Sequence, residues 1–170
     1  VKFFAYMFLS FSFASFIFGQ TADTLSSEQA VNEDMLIGDC VREDFQDTSF
    51  AKWFDPEYSE YRVDTASADS LADAINNIDI VIVLGTWCSD SHREIPRFIK
   101  ILDYLKYPSE KLTMKCVDRK FKTLSSDIDI YRVEAVPSII FYEEGKELGR
   151  IIEVPDESLE KDMIKFIIMR

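Results

Sequence analysis

The segment Ile78-Asp79-Ile80-Val81-Ile82-Val83-Leu84-Gly85 constrains the fold more than any other. It is a short run of β-branched and aliphatic residues closed by a glycine, the pattern of a strand buried on both faces. Beyond it, Ile95, Phe98, Ile99, Leu102 and Leu105 fall on one helical stripe, and Lys111–Asp118, "KLTMKCVD", forms a second strand. Strand, helix and strand in that order imply a parallel pair joined by a right-handed crossover.

The polar segment Lys120–Tyr131 is expected to contain a short helix. Ser138–Glu153 reads as two strands joined at Glu143-Glu144-Gly145. After Pro155, an acidic first turn of Asp156 and Glu157 leads into Leu159, Met163, Ile164, Phe166 and Ile167, a terminal amphipathic helix. The order β-α-β-α-β-β-α predicts an α/β fold, a mixed central sheet of about four strands with helices on both faces.

This domain is assigned to residues 66–170. Ser67–Asn77 places Ala68, Leu71, Ala72 and Ile75 at helical spacing behind a Ser67 cap. Upstream, Phe45, Phe50, Trp53, Phe54, Tyr58 and Tyr61 recur among acids, so residues 34–65 read as a helical N-terminal extension packed on the domain. Residues 20–33 are polar and read as a flexible lead-in. Residues 1–19 carry Lys2, an apolar run from Phe3 to Phe18, and Gly19, the order of a secretory signal peptide. At about 16 residues the run is short of the roughly 20 that a membrane span needs. Ile17 and the single Lys2 keep an uncleaved anchor as the alternative, in which case the chain would meet a membrane. The expected localisation is exported, periplasmic or extracellular.

With 170 residues, 47% of them apolar, the chain suffices for one domain with a real core. Lys+Arg 19 against Asp+Glu 31 gives a net charge of −12, and no basic run exists to neutralise phosphates, so nucleic acid is not an expected partner. One histidine and three scattered cysteines give no paired-ligand spacing for a metal, no glycine-rich loop suggests a nucleotide, and no cofactor is expected.

The chemistry centres on "GTWCSDSHREIPRF", Gly85–Phe98. Cys88 follows a buried strand and opens a helix, where backbone N–H groups and the helix dipole favour a thiolate, the nucleophile of thiol–disulfide exchange. Trp87 beside it can wall the site. Pro96 inside the helix and Val136-Pro137 before the third strand are independently unusual placements.

Trp87-Cys88, Pro96 and Pro137 together resemble the thioredoxin-like superfamily, over roughly Ala66–Arg170. Its members carry Trp-Cys-x-x-Cys at a strand tip, a kinking proline eight residues past the first cysteine, and a cis-proline before the closing hairpin. Within it, "TWCSDSHREIPRF" and "EGKELGRIIE" most resemble exported thioredoxin-like proteins of Bacteroidetes-type bacteria. Two departures matter. Ser91 stands in place of the resolving cysteine, and Ile82 stands where dithiol members carry a buried acid. The resemblance then implies monothiol chemistry, with mixed disulfides at Cys88 released by an outside thiol, in isomerase-like or reductase-like exchange on protein or small-molecule disulfides. Ser91 is expected to donate to the thiolate, and His92 to offset Asp90 or donate to a leaving sulfur; a surface histidine without a role is the alternative. Val136 and Pro137 would pair with an extended substrate segment.

Cys116, inside an apolar strand, reads as an inert buried thiol. Cys40, next to Arg42 in a polar setting, is a possible distant resolving thiol for Cys88. A different class of function is also compatible with the residues: a non-catalytic peptide-binding module that keeps the Pro137 groove. A peroxidase reading would need a threonine at the position of Gly85.

Overall fold

The computed structural model describes residues 35–124 and 126–169. The signal segment 1–19 and the lead-in 20–33 lie outside the described residues.

The sheet has five strands in the order β1-β3-β2-β4-β5: β1 Gly38–Cys40, β2 Asp79–Leu84, β3 Leu112–Cys116, β4 Ser138–Glu143 and β5 Lys146–Ile152. The β2–β3 pair is parallel, matching Ile80 to Leu112 and Leu84 to Cys116. The pairs β2–β4, β4–β5 and β1–β3 are antiparallel. The β4–β5 hairpin turns through Glu144 and Gly145, both at positive φ, the two-residue connection that matches strand twist.

The strand beyond the expected four comes from the N-terminal extension, which is therefore not purely helical. Gly38-Asp39-Cys40 is too short to display alternation, and its partner lies far along the chain. The extension continues as a 3-10 turn, Arg42–Gln46, and helix α1, Thr48–Glu60. Asp47 starts α1 by accepting from the Ser49 N–H at 2.8 Å. Helix α2 spans Thr65–Leu71 and a 3-10 turn spans Ala74–Asn77. Its cap is Asp64, which accepts from the Ser67 N–H at 3.3 Å, rather than Ser67 itself. Helix α3, Ser89–Tyr104, crosses between β2 and β3, and α4, Leu159–Ile167, closes the chain behind a Ser158 cap.

Alternation along the strands divides the core in two. Ile80, Ile82, Leu84, Met114, Cys116, Ile139 and Phe141 join one cluster with the buried side chains of all four α-helices. Val81, Val83 and Ile140 face a smaller cluster with Val117, Ile128 and Val136. Among the described residues, this second face is covered by loop and the 3-10 helix Ser126–Tyr131. Asp127 and Asp129 in its first turn suit a short 3-10 helix better than an α-helix interior.

The extension belongs to the larger core rather than beside it. Phe45 is wholly buried and stacks on Phe54 at 5.3 Å. Burial of each such ring contributes about 1.5–3 kcal/mol. Arg42 bonds both carboxylate oxygens of Asp103 on α3, at 2.7 and 2.6 Å, and Arg97 on α3 bonds Glu57 on α1 at 2.9 and 2.7 Å. On the opposite face Lys115 of β3, almost wholly buried, meets Asp39 of β1 at 2.6 Å and Asp127 at 2.7 Å. Burial works against its charge, but the bonds to Asp127 and Asp39 outweigh it and hold the ammonium above its ordinary value.

Candidate thiol site at the tip of the second strand

β2 ends at Leu84 and the chain turns through Gly85, Thr86 and Trp87 before Cys88 caps α3. Gly85 is required by close approach: a Cβ there would lie 2.6 Å from Trp87 Cε2. Free of it, the Trp87 indole donates from Nε1 to the Val117 carbonyl at 2.9 Å, packs edge-on to Phe121, and lies under the Arg119 guanidinium at 5.0 Å. Trp87 is therefore a fixed wall beside the cysteine.

Cys88 is half-buried. Its S–H donates to the Val136 carbonyl at 3.1 Å, so helix start and Pro137 loop meet at the sulfur. The Val136–Pro137 bond is cis, Val136 is buried, and the Pro137 carbonyl accepts from the Glu153 N–H at 2.7 Å. Of the residues singled out from sequence, Trp87, Cys88, Val136 and Pro137 come together here.

Ser91 and His92 have other partners. Ser91 is fully buried, and its hydroxyl oxygen accepts from the Gly85 N–H at 3.3 Å; among the described residues it makes no bond to Cys88 Sγ. His92 lies flat against Trp53 of α1, with ring centroids 4.3 Å apart and 14° between planes. Its Nε2 is 2.7 Å from the Thr86 carbonyl, an acceptor, so Nε2 carries the proton. The histidine thus ties the extension to the Thr86 turn instead of idling on the surface. Ile82, in place of the buried acid, is wholly enclosed in the larger core.

Thr86 and Trp53 were not apparent from the sequence as site residues. Thr86 Oγ1 accepts from the Leu36 N–H at 3.0 Å, so the extension reaches the turn before Cys88. A cavity of about 400 Å³ opens alongside, lined among others by Trp53, Thr86, Trp87, His92, Lys52 and Arg119. No sequence motif marks Arg119 or Lys52, because only the fold brings them to this wall.

Cys40 and Cys116 are both buried, at 5% and 0% exposure. Cys40 lies on the edge strand, two strands from β2. The usual inter-strand spacing puts it about 10 Å to the side of the strand that delivers Cys88. Its neighbour is Cys116: the interaction with that thiol, followed by burial, pushes Cys40 well above the ordinary thiol value.

A parallel strand–helix–strand unit with a cysteine at its turn, closed by an antiparallel hairpin behind a cis-proline, defines the thioredoxin-like α/β fold. No family model matches the chain. It is similar to thioredoxin-like protein R548 of Acanthamoeba polyphaga mimivirus, 23% identical over 96 residues, which cover 56% of this chain and 67% of that protein. Among solved structures it is similar to thioredoxin O2 from Arabidopsis thaliana in its oxidized state, at 27% identity and a TM-score of 0.40, covering 61% of this chain and 86% of that one. It is also similar to the germline-specific thioredoxin Deadhead from Drosophila melanogaster, at 21% identity and a TM-score of 0.39, covering 61% and 92%.

Proposed function

We propose that this chain is an exported monothiol member of the thioredoxin-like superfamily, of the Bacteroidetes type, that exchanges protein disulfides through Cys88. The observation that carries this reading is the half-buried Cys88 sulfur at the start of α3, 3.1 Å from the Val136 carbonyl in the cis-proline loop. As a thiolate it attacks one sulfur of a substrate disulfide. The substrate S–S bond breaks as a Cys88–substrate S–S bond forms, and the second sulfur leaves with the electron pair and takes a proton from water. Either that sulfur, another substrate thiol or a small thiol then attacks the mixed disulfide and returns Cys88 as a thiol. When a different substrate thiol attacks, the net result is isomerisation without oxidation; when the departed sulfur returns, the original disulfide is restored.

Ser91 has no sulfur with which to close an internal disulfide, so release depends on an outside thiol. A substrate segment laid beside Pro137 would displace Cys88 from the Val136 carbonyl as the exchange begins. Trp87 supplies the opposite wall. Ser91 and His92 stabilise the turn before Cys88, through Gly85 and Thr86 respectively, without a bond to its sulfur among the described residues.

A second reading, a peptide-binding module without turnover, is favoured by one observation: the Cys88 S–H is satisfied by a backbone carbonyl, while the hydroxyl of Ser91 and the ring of His92 are engaged elsewhere. The readings separate on a scrambled disulfide-bonded ribonuclease in glutathione buffer. The exchange reading expects regained ribonuclease activity with the wild type and none above buffer with Cys88→Ser. Equal, buffer-level rates for both, with binding of the unfolded ribonuclease retained, establish the binding module. Export is tested by expressing the full chain in a Gram-negative host and weighing the product recovered from the periplasm: loss of residues 1–19 is expected, and retention in the cytosol overturns export.

A further inference from the structure

We propose that Cys40 and Cys116 are a second redox site, a buried thiol pair that closes to a disulfide and fastens the N-terminal extension to the sheet. The register places Cys116 opposite Gly38 and Cys40 opposite Met114, so the two cysteines are diagonal neighbours on one face of the β1–β3 ladder. Both belong to the larger core cluster. Gly38 presents no side chain across from Cys116, which leaves that sulfur facing the next residue on the same face of β1, Cys40. A diagonal pair lies about 7–8 Å apart at Cα, just beyond the span a disulfide bridges unaided, so one strand must shift slightly. β1 can supply the shift: it is three residues long, sits at the sheet edge, and begins at Gly38 with φ 118°.

Access is built in. Cys40 lines a cavity of about 560 Å³, together with Arg42, Leu102, Asp103 and Met114 among others. A low-molecular-weight disulfide such as oxidised glutathione entering there is the oxidant. Cys40 first gives up its proton as β1 moves off β3, and the thiolate then attacks the disulfide, forming a Cys40–glutathione bond and releasing one glutathione. Cys116 then gives up its proton and attacks the Cys40 sulfur, forming Cys40–Cys116 and releasing the second glutathione. The two protein thiols are oxidised, one disulfide is reduced to two thiols, and the protons pass to the leaving thiolates. Pairing two of the three cysteines this way leaves Cys88 the free thiol, whatever Cys88 does.

The test refolds the reduced, denatured chain in a glutathione redox buffer, then alkylates it in denaturant and maps its peptides without reduction. Wild type and Cys88→Ser are compared. The expected result is a linked Cys40–Cys116 peptide in both, with no alkylated cysteine in Cys88→Ser and Cys88 as the one that is alkylated, or carries glutathione, in the wild type. Oxidised Cys88→Ser should also melt higher than its reduced form, a rise absent from Cys40→Ser/Cys88→Ser. A Cys40–Cys88 peptide, a lasting glutathione adduct on Cys40 or Cys116, or two alkylated thiols in Cys88→Ser overturns the proposal. Because Cys88→Ser cannot exchange disulfides through position 88, the result stands apart from the function proposed for that residue.

Discussion

The imidazole of His92 stacks on the indole of Trp53, 4.3 Å between centroids and 14° between planes, and so couples α3 to the N-terminal extension one turn beyond Cys88. The same ring donates to the Thr86 carbonyl, in the turn that also holds Leu36. The segment outside the core α/β unit thereby braces the loop that carries Cys88.

His92→Ala is expected to lower stability by about 1–3 kcal/mol, the sum of a hydrogen bond and an aromatic stack. Urea unfolding measures this. Alkylation of Cys88 should proceed at the wild-type rate; a loss of about tenfold, equal to about 1.4 kcal/mol of barrier, would instead assign the ring to sulfur chemistry.

Ser91→Ala removes the acceptor of the Gly85 N–H. The buried amide left without a partner should cost about 1–3 kcal/mol in urea unfolding. Disulfide exchange by the folded protein should not change, since the hydroxyl touches the turn and not Cys88. A large fall in exchange at unchanged stability would contradict that geometry.

Gly85→Ala forces a methyl into the Trp87 ring. Either the indole leaves the Val117 carbonyl or the turn shifts, and overpacking of this kind costs about 1–3 kcal/mol. Altered tryptophan emission should accompany the loss, and Trp87→Phe/Gly85→Ala should recover part of it. An unchanged emission spectrum in Gly85→Ala would show that the turn, not the ring, yields.

Under reducing conditions, stability should fall on the alkaline side. The Cys40 thiol is raised in the folded state by the neighbouring Cys116 thiol and by burial, whereas the unfolded thiol ionises near the ordinary value of about 8.5. The unfolded chain then loses its proton first, so the contribution is complete below about pH 8.5 and disappears as pH climbs toward the folded value. Lys115, also raised, contributes in the same sense but only from about pH 10.4 upward. Unfolding free energies from pH 7 to 11 should show the earlier limb in the wild type and lose it in Cys40→Ala. Identical limbs would remove the thiol from the linkage.

What could be read from residues alone follows their periodicity. β2, β3 and the β4–β5 hairpin came through because alternation and apolar runs survive within a few residues, and α3 because its stripe is long. Placement of Trp87-Cys88 and Val136-Pro137 against one another followed from the likeness those residues carry. β1 did not, because Gly38-Asp39-Cys40 has no pattern of its own and exists through pairing with β3. The same pairing, not any local signal, sets Cys40 beside Cys116. Likewise the partners of Ser91 and His92 depend on where Gly85, Thr86 and α1 come to rest. The short helix expected within Lys120–Tyr131 is present as the 3-10 helix Ser126–Tyr131, whose hydrogen-bonding type the polar sequence does not distinguish.

The pairing of β1 with β3 also orders events in time. β1 has no partner strand until Leu112–Cys116 follows, after all of β2 and α3. Phe45, Phe50 and Phe54 must wait for the same sheet and helix to bury them. Long-range closure of this kind is slow compared with helix or hairpin formation. A chain interrupted before Leu112 therefore holds β1 without its partner strand, even where α1 can already meet α3.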